Sequence, residues 1–181
     1  MSTVHYDLFP SPIGTLTVAA DQTGVRHILF AQNRYDAAGR ARWVHDPDAA
    51  LVRQAREQLL DYLYGGRRRF DLPLAPVGTP FQREVWHTLA QIPFGQTWSY
   101  AQLAQAVGRP AASRAVGAAN GRNPLPIVLP CHRVIGANGA LTGFGGGLPT
   151  KQALLQLEGW SPQPIARAGD LFAGAPAAGS R

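Results

Sequence analysis

The chain has 181 residues, 45% of them hydrophobic, and its 17 Lys+Arg against 11 Asp+Glu give a formal net charge of +6. That length and composition fit one medium globular domain or two small ones. No targeting segment opens the sequence and no apolar run approaches the roughly 20 residues that cross a bilayer, so we expect a soluble, cytoplasmic protein without a membrane partner. Lys151 is the only lysine, and because arginine binds phosphate bidentately, the charge favours a nucleic acid partner without requiring one.

The first half of the chain predicts a small antiparallel sheet followed by a helix. Strand-like stretches at 6–9, 14–18 and 25–30 are separated by turn-forming residues. Asp48 is a suitable N-cap for a helix over 49–64, which Gly65 and Gly66 end. Residues 67–78 are basic and then rich in proline, which indicates a linker between a domain at 1–75 and a second domain at 79–160.

The second half predicts four helices and one short strand. Helical spacing indicates a helix over 81–92, and Ser99 caps another that ends near residue 107. A turn at 108–110 leads to a helix over 111–120, so this pair is a candidate helix-turn-helix. We expect a buried strand at 127–129, a glycine-rich loop at 143–147, a helix over 150–158 and a flexible tail at 161–181. The predicted fold class is α+β.

One face of the helix at 111–120 carries Arg114 beside small residues. Such a face can approach a nucleic acid groove closely, with Arg109 and Arg122 placed to bind phosphates. The alternative is that the small residues mark tight helix packing and Arg114 is an ordinary solvated charge. The sequence leaves both interpretations open.

Cys131 is the only cysteine and is followed by His132. A lone thiol cannot form an internal disulfide, so it is either a small buried side chain or a nucleophile. Neighbouring residues of an extended segment point to opposite faces, which makes a bridging water the easier route for a proton between thiol and imidazole. Otherwise His132 is a histidine at the surface or at a strand edge.

Glu158 falls on the apolar stripe of the last predicted helix and needs a partner there. His132 would complete a Cys–His–Glu relay, whereas an ion pair with Arg133 or another arginine is the structural alternative. Tyr100 shares a stripe with core residues and should turn its hydroxyl outward. The histidines show no zinc-ligand spacing and the glycines at 143–147 match no nucleotide motif, so we expect neither metal nor cofactor.

With these residues collected, the chain from about residue 81 to 159 resembles the O6-alkylguanine-DNA alkyltransferases, which move an alkyl group from guanine O6 to their own cysteine. The match runs in order through six stretches, and the first half agrees loosely with the smaller, ribonuclease H-like domain of that family. The matching stretches are 94–95 with 99–100, Ser113 to Gly117, 123–124, 127–134, 143–148, and Lys151 to Gly159.

The resemblance implies a single-turnover repair reaction on double-stranded DNA. It assigns Cys131 as the acceptor, His132 as its base through a water, and Glu158 as the residue that orients His132. It further assigns a hydrogen bond from Tyr100 to the departing guanine and a turn shaped by Asn123.

Further implications of the resemblance concern DNA contact and biology. Arg114 would fill the gap left by a flipped base as the helix enters the minor groove, with Ser113, Ala115, Gly117, Arg122 and Arg109 near the DNA. Val134, Phe144 and Gly145 would line the base pocket. The resemblance also implies O4-alkylthymine as a lesser substrate, a monomer that can cluster on DNA, and a nucleoid location in a bacterium.

The chain departs from some relatives at Phe144 and Gly145, where those relatives have tyrosine and serine, so a pocket hydroxyl is absent here. Metal-binding cysteines and the cysteine-rich regulatory domain of certain relatives are also absent, so we expect no repair of phosphotriesters. Two other functions compete. A lesion binder without catalysis would carry tryptophan in place of Cys131, and a thiol hydrolase would turn over repeatedly.

Overall fold

The computed structural model describes residues 1–162, so the predicted tail at 161–181 lies outside the described residues from position 163 onward. The first half forms a four-stranded sheet in the order β3-β2-β1-β4. The first three strands are antiparallel, as predicted, whereas β4 is a two-residue edge strand parallel to β1 that the sequence did not reveal. The strands are β1 (His5–Phe9), β2 (Leu16–Asp21), β3 (Gly24–Leu29) and β4 (Val44–His45).

Helix α1 (Ala50–Leu63) packs its apolar face on this sheet. The predicted cap by Asp48 is wrong: the N-cap is Ala49, and no side chain caps the helix. Asp48 instead belongs to the preceding turn, where its N–H donates to the Asp46 carboxylate at 3.2 Å. Gly65 follows the helix with φ 85°, a left-handed conformation that glycine adopts without strain, so the predicted end is confirmed.

The second half contains helices α2 (Pro80–Leu89), α3 (Tyr100–Ala106), α4 (Ser113–Gly121) and α5 (Leu148–Leu157). Thr79 and Ser99 cap α2 and α3 with reciprocal side-chain bonds to the glutamine three residues later. Short strands β5 (Trp98–Ser99) and β6 (Val134–Ile135) pair in parallel. Helix α4 begins two residues later than predicted, because the Ala112 N–H closes a turn onto the Arg109 carbonyl at 2.9 Å.

The predicted strand at 127–129 is wrong. These residues form a buried turn in which the Leu129 N–H donates to the Leu125 carbonyl at 2.9 Å and Ile127 has φ 75°. Flanking prolines remove N–H donors that a strand would need, and an apolar run without alternation does not distinguish a strand from other buried segments. The turn delivers the chain directly to Cys131.

One hydrophobic core runs through both halves of residues 1–162. The two halves are also joined through the main chain, since the Ile28 N–H donates to the Pro124 carbonyl at 2.9 Å. Within these residues no helix has the length and apolarity that a membrane crossing requires. The sheet therefore lies directly against the segment that holds Cys131 and its neighbours.

Candidate active site

Cys131 opens a short 3-10 turn, Cys131–Arg133, that lies between the buried turn and β6. The turn is held by bonds from the Cys131 N–H to the Leu129 carbonyl at 2.7 Å and from the Arg133 N–H to the Pro130 carbonyl at 3.0 Å. The segment is thus not extended, contrary to the expectation from the sequence. Asn123 braces it, because its amide donates to the Leu129 carbonyl at 2.7 Å and accepts from the Leu125 N–H at 2.9 Å.

The Cys131 side chain is only 6% exposed, yet it lines a cavity of about 230 Å³. Three segments form the walls: the end of β3 with the loop after it, the end of α4 with the turn after it, and the glycine-rich loop. Phe144 and Gly145 line the cavity, whereas Val134 is fully buried and does not line it. The walls are formed mainly by residues 27–30, 33–38, 120–124 and 143–145.

Burial raises the pKa of the Cys131 thiol to about 11, against the opposing effects of the Asn123 amide and the Lys151 ammonium. At neutral pH the resting group is therefore the neutral thiol. A thiol in this state needs a base to remove its proton as it attacks an electrophile. The cavity accordingly has to supply that base from its surroundings.

His132 is fully buried, and its Nε2 lies 2.9 Å from a carboxylate oxygen of Glu158. Burial lowers the pKa of His132, against the raising effect of Glu158, so the ring is neutral at pH 7. A carboxylate accepts only, which places the proton on Nε2 and leaves Nδ1 as an unprotonated nitrogen. Within residues 1–162 this buried Nδ1 has no hydrogen-bond partner. His132 is therefore equipped to accept a proton.

Glu158 contacts both His132 and Arg133, the two alternative partners that the sequence analysis left open. Its carboxylate accepts from Arg133 Nη2 at 2.7 Å and Nε at 2.9 Å as well as from His132. A third donor is the Tyr62 hydroxyl of α1 at 2.7 Å. Burial alone would raise the pKa of Glu158, but the bonds from His132 and Arg133 outweigh it and lower the pKa to about 2. Glu158 is thus a charged anchor, placed at the C-cap of α5 rather than within the helix.

Lys151 is a buried residue of this region that the sequence did not single out. Its ammonium donates to the Val134 carbonyl at 2.6 Å and to the Thr142 carbonyl at 2.9 Å. It thereby ties β6 to the far end of the loop that lines the cavity. Burial lowers its pKa to about 8, and the nearby Cys131 acts in the opposite direction. Lys151 is the only lysine in the chain, which is the one sequence feature that sets it apart. The neighbouring residues do not indicate that it is buried.

Tyr100 lies at the same loop, with its hydroxyl 3.4 Å from the Thr142 carbonyl and 3.3 Å from the Thr142 hydroxyl. Its ring packs against Gly117 of α4, where the Cβ of any larger residue would lie 3.4 Å from the ring. An alanine Cβ at position 117 would therefore make an ordinary van der Waals contact with the ring, so the packing of α3 on α4 does not require glycine here.

The rest of the α4 face is open. Arg114, Ala115, Ala118, Gly121 and Arg122 are all exposed, and their spacing places them along one side of the helix, whereas Val116 and Ala119 are buried on the other. Ser113 is half-buried at the helix start. The result is a smooth strip with an arginine at each end.

The two flanking arginines have partners on the protein. Arg109 pairs with Glu84 of α2 at 3.9 Å and lies over the Phe81 ring. Arg122 stacks on the Tyr35 ring, with its guanidinium carbon 3.8 Å from the ring centroid. A stacked guanidinium keeps its N–H edge available, so stacking and phosphate contact are compatible.

Geometry and fold together define a protein with a buried cysteine at the wall of a small cavity, a buried histidine as its neighbour in sequence, and an exposed basic helix beside the cavity. Two family models match almost the whole of residues 4–160. They are described as the 6-O-methylguanine DNA methyltransferase ribonuclease-like domain, at 4–76, and DNA binding domain, at 80–160. The chain belongs to the 6-O-methylguanine DNA methyltransferase family.

Curated relatives are similar over most of their length. A methylated-DNA–protein-cysteine methyltransferase of Methanosarcina acetivorans is 46% identical over 156 residues, which cover 86% of this chain and 99% of the relative. A methylated-DNA–protein-cysteine methyltransferase of Haemophilus influenzae is 39% identical over 159 residues, which cover 87% of this chain and 88% of the relative. The crystal structure of Mycobacterium tuberculosis OGT in complex with DNA superimposes with a TM-score of 0.79 at 45% identity, covering 85% of this chain and 92% of that one.

Proposed function

We propose that this protein repairs DNA by transferring an alkyl group from O6 of guanine to the Cys131 thiol, once per protein molecule. The observation that carries the proposal is the position of Cys131 at the wall of a cavity that adjoins the exposed α4 face. A volume of about 230 Å³ lies below the range of about 300–1,000 Å³ typical of pockets for drug-sized ligands. It suits a single small ligand such as one base.

The transfer is a displacement at carbon. The thiol proton passes through a bridging water to Nδ1 of His132, while Glu158 holds the imidazole by its Nε2 proton. The sulfur electron pair forms the S–C bond as the C–O6 bond breaks, and its electrons return to the guanine. The leaving base takes up one proton, assisted by a hydrogen bond from Tyr100, so the proton balance is conserved. The thioether is stable, which ends the reaction after one turnover.

Access to the target requires that the nucleotide leaves the duplex, at a cost of a few kcal/mol. In this proposal α4 lies in the minor groove, Ser113, Ala115 and Gly117 allow close approach, and Arg114 occupies the vacated position in the base stack. Arg122 and Arg109 contact phosphates. Phe144 and Gly145 line the base pocket, and Asn123 holds the turn that carries the thiol.

The wider biology belongs to the same proposal. O4-alkylthymine is a lesser substrate, and the protein acts as a monomer that can cluster on DNA, in the cytoplasm or at a bacterial nucleoid. The proposed transfer requires neither a metal nor a cofactor. In this proposal, residues 1–75 form an N-terminal α/β domain, and residues 79–160 form the DNA-binding and catalytic domain.

The direct test is intact-protein mass spectrometry after mixing equimolar protein with a duplex containing O6-methylguanine. We expect one methyl group on Cys131 and none on the Cys131→Ala variant. A protein that binds the lesion but gains no mass would be a lesion binder without catalysis. Titration with excess lesion tests the remaining alternative, a thiol hydrolase that turns over repeatedly. More than one equivalent of product per protein molecule would indicate such a hydrolase.

A further inference from the structure

The cavity at Cys131 has a wall that comes from the first half of the chain. The Phe30 ring packs on Phe144 with 5.4 Å between centroids, and the Arg34 N–H donates to the Gly145 carbonyl at 3.1 Å. Asn33 closes a tight turn between them, accepting from the Phe30 N–H at 2.9 Å and donating to the Phe30 carbonyl at 2.6 Å. These contacts fix residues 30–34 against the loop that forms the opposite wall.

Tyr35 follows this anchored turn and reaches across to α4. The residue is 39% exposed, and its ring centroid lies 3.8 Å from the guanidinium carbon of Arg122, which is the residue directly after α4. Both residues line the cavity that contains Cys131. A guanidinium over an aromatic face is an attractive contact, so the pair bridges the two halves of the chain at the outer part of the cavity.

We infer that the Tyr35–Arg122 pair is a size filter for the alkyl group, which holds the cavity to a volume suited to small O6 substituents. The inference rests on the proposed function and adds a specificity-determining role for the first half of the chain. A fixed wall accepts a methyl group and opposes a ring-sized group, because the larger group must displace the stacked pair. Since each missing or extra carbon group in a pocket changes rates by about 10- to 200-fold, removing one wall should have a measurable effect.

The experiment compares single-turnover rates on two duplexes of the same sequence, one with O6-methylguanine and the other with O6-benzylguanine. DNA affinity and base flipping are shared by both substrates, so the benzyl-to-methyl rate ratio reports the pocket. We expect Tyr35→Ala to raise this ratio about tenfold or more. Tyr35→Phe keeps the ring and should leave the ratio unchanged.

Arg122→Ala separates the filter from phosphate binding. If Arg122 only contacts phosphate, both rates fall by the same factor and the ratio stays constant, which would contradict the inference. If the stacked pair forms the wall, the ratio rises as in Tyr35→Ala. Tyr64→Ala is the matched control, because Tyr64 is a 74% exposed tyrosine at the end of α1 that does not line the cavity.

Two other outcomes would also overturn the filter. Equal slowing of both substrates by Tyr35→Ala would show that the ring is a stacking surface for the base, and wild-type rates on both substrates would show that the ring has no role in selection. Failure of the proposed function itself looks different. In that case the unmodified protein gains no alkyl mass from either duplex, whereas a failed filter leaves wild-type methyl transfer intact.

Discussion

Within residues 1–162, the Glu158 carboxylate accepts from three side chains rather than from His132 alone, and the Gly95 N–H lies 3.5 Å from it. Arg133 makes a bidentate contact, and Tyr62 and His132 each add one bond. Burial lowers the pKa of His132 by more than Glu158 raises it, and Arg133 and Lys151 act in the same direction as burial, so the pKa stays below its ordinary value. In the proposed reaction, the carboxylate fixes the tautomer and orientation of the imidazole, and the ring is neutral until it takes the thiol proton.

Glu158→Gln should slow alkyl transfer at least tenfold, because the amide can present its NH₂ to Nε2 and no longer enforces the required tautomer. It should also reduce the free energy of unfolding by roughly 3 kcal/mol, since Arg133 would remain buried without its counter-charge. Single-turnover rates and urea unfolding measure the two effects. DNA affinity should stay nearly constant.

The matched control for that variant is Glu84→Gln, which neutralises a glutamate that is paired with Arg109 at the surface. Its stability should change by less than about 1 kcal/mol. Alkyl transfer by Glu158→Gln at the wild-type rate would refute an orienting role for Glu158.

Lys151 holds the cavity loop through two carbonyl groups, so its loss should loosen that loop. Lys151→Met keeps the aliphatic stem but leaves the Val134 and Thr142 carbonyls without their donor, at a cost of about 1–3 kcal/mol. We expect faster hydrogen exchange across residues 136–147 and slower alkyl transfer. Gln152→Met, a change at an exposed position of the same helix, is the control. Equal hydrogen-exchange rates of the loop in the two variants would contradict a role for Lys151 in holding it.

At the scale of elements, α4 has two distinct faces. Val116 and Ala119 anchor it in the core, and the Ala119 carbonyl accepts from the buried Trp86 indole at 2.7 Å. The opposite face carries only small side chains between Arg114 and Arg122. Small exposed residues contribute nothing to packing, which favours a role in close approach to a partner surface.

Ala118→Leu tests this role, because it adds bulk to the middle of the exposed strip without touching the core. The fold should be unaffected, since leucine is a good helix former. Affinity for duplex DNA should fall about tenfold or more, measured by fluorescence anisotropy at fixed salt. Ala50→Leu, an exposed change at the start of α1, should bind as wild type does. Unchanged binding by Ala118→Leu would mean that α4 does not lie against the DNA.

The helices were well predicted from sequence, because caps and helical spacing are local features. Ser99 caps α3, and α2 and α5 were placed within three residues of their bounds. The errors arise where local pattern and tertiary context disagree. The apolar residues 127–129 have the composition of a strand but form a turn fixed by Asn123, and β4 is only two residues long.

At the scale of the whole molecule, the site depends on contacts between residues far apart in sequence. Cys131, His132 and Glu158 could be proposed from the sequence, whereas Tyr62, Lys151 and Tyr35 could not. Tyr62 precedes Glu158 by 96 positions, and no local pattern encodes such a pairing. The division at residues 76–78 stays a prediction, and the described core is continuous across it.

A continuous core implies that both halves respond together to acid, and two neutral histidines, the partly buried His27 and the fully buried His132, make the molecule acid-sensitive. Burial lowers the pKa of His27 to about 4, with Arg26 acting in the same direction and Asp36 opposing it. Between that value and the ordinary histidine pKa of about 6.5, the unfolded chain binds more protons than the folded one, so stability rises with pH. Its contribution is therefore lost as pH falls from about 6.5 to about 4. The lowered pKa of His132 likewise makes the folded state less stable as pH falls below about 6.5. The lowered pKa of Glu158 causes a further loss of stability as pH falls from 4.5 to about 2.

We expect the free energy of unfolding, from urea titrations at pH 7, 5.5 and 4, to fall steadily in a single transition. His27→Phe preserves the aromatic contact with Trp43, whose ring lies 5.2 Å from the imidazole, and removes the titrating group. The loss between pH 7 and 4 should then shrink by about 1–3 kcal/mol, where each pKa unit corresponds to about 1.4 kcal/mol and partial exposure reduces the total. His87→Phe, on the exposed side of α2, should leave the loss unchanged. An identical pH dependence in wild type and His27→Phe would show that His27 carries none of it, and two separate transitions would show that the halves unfold independently.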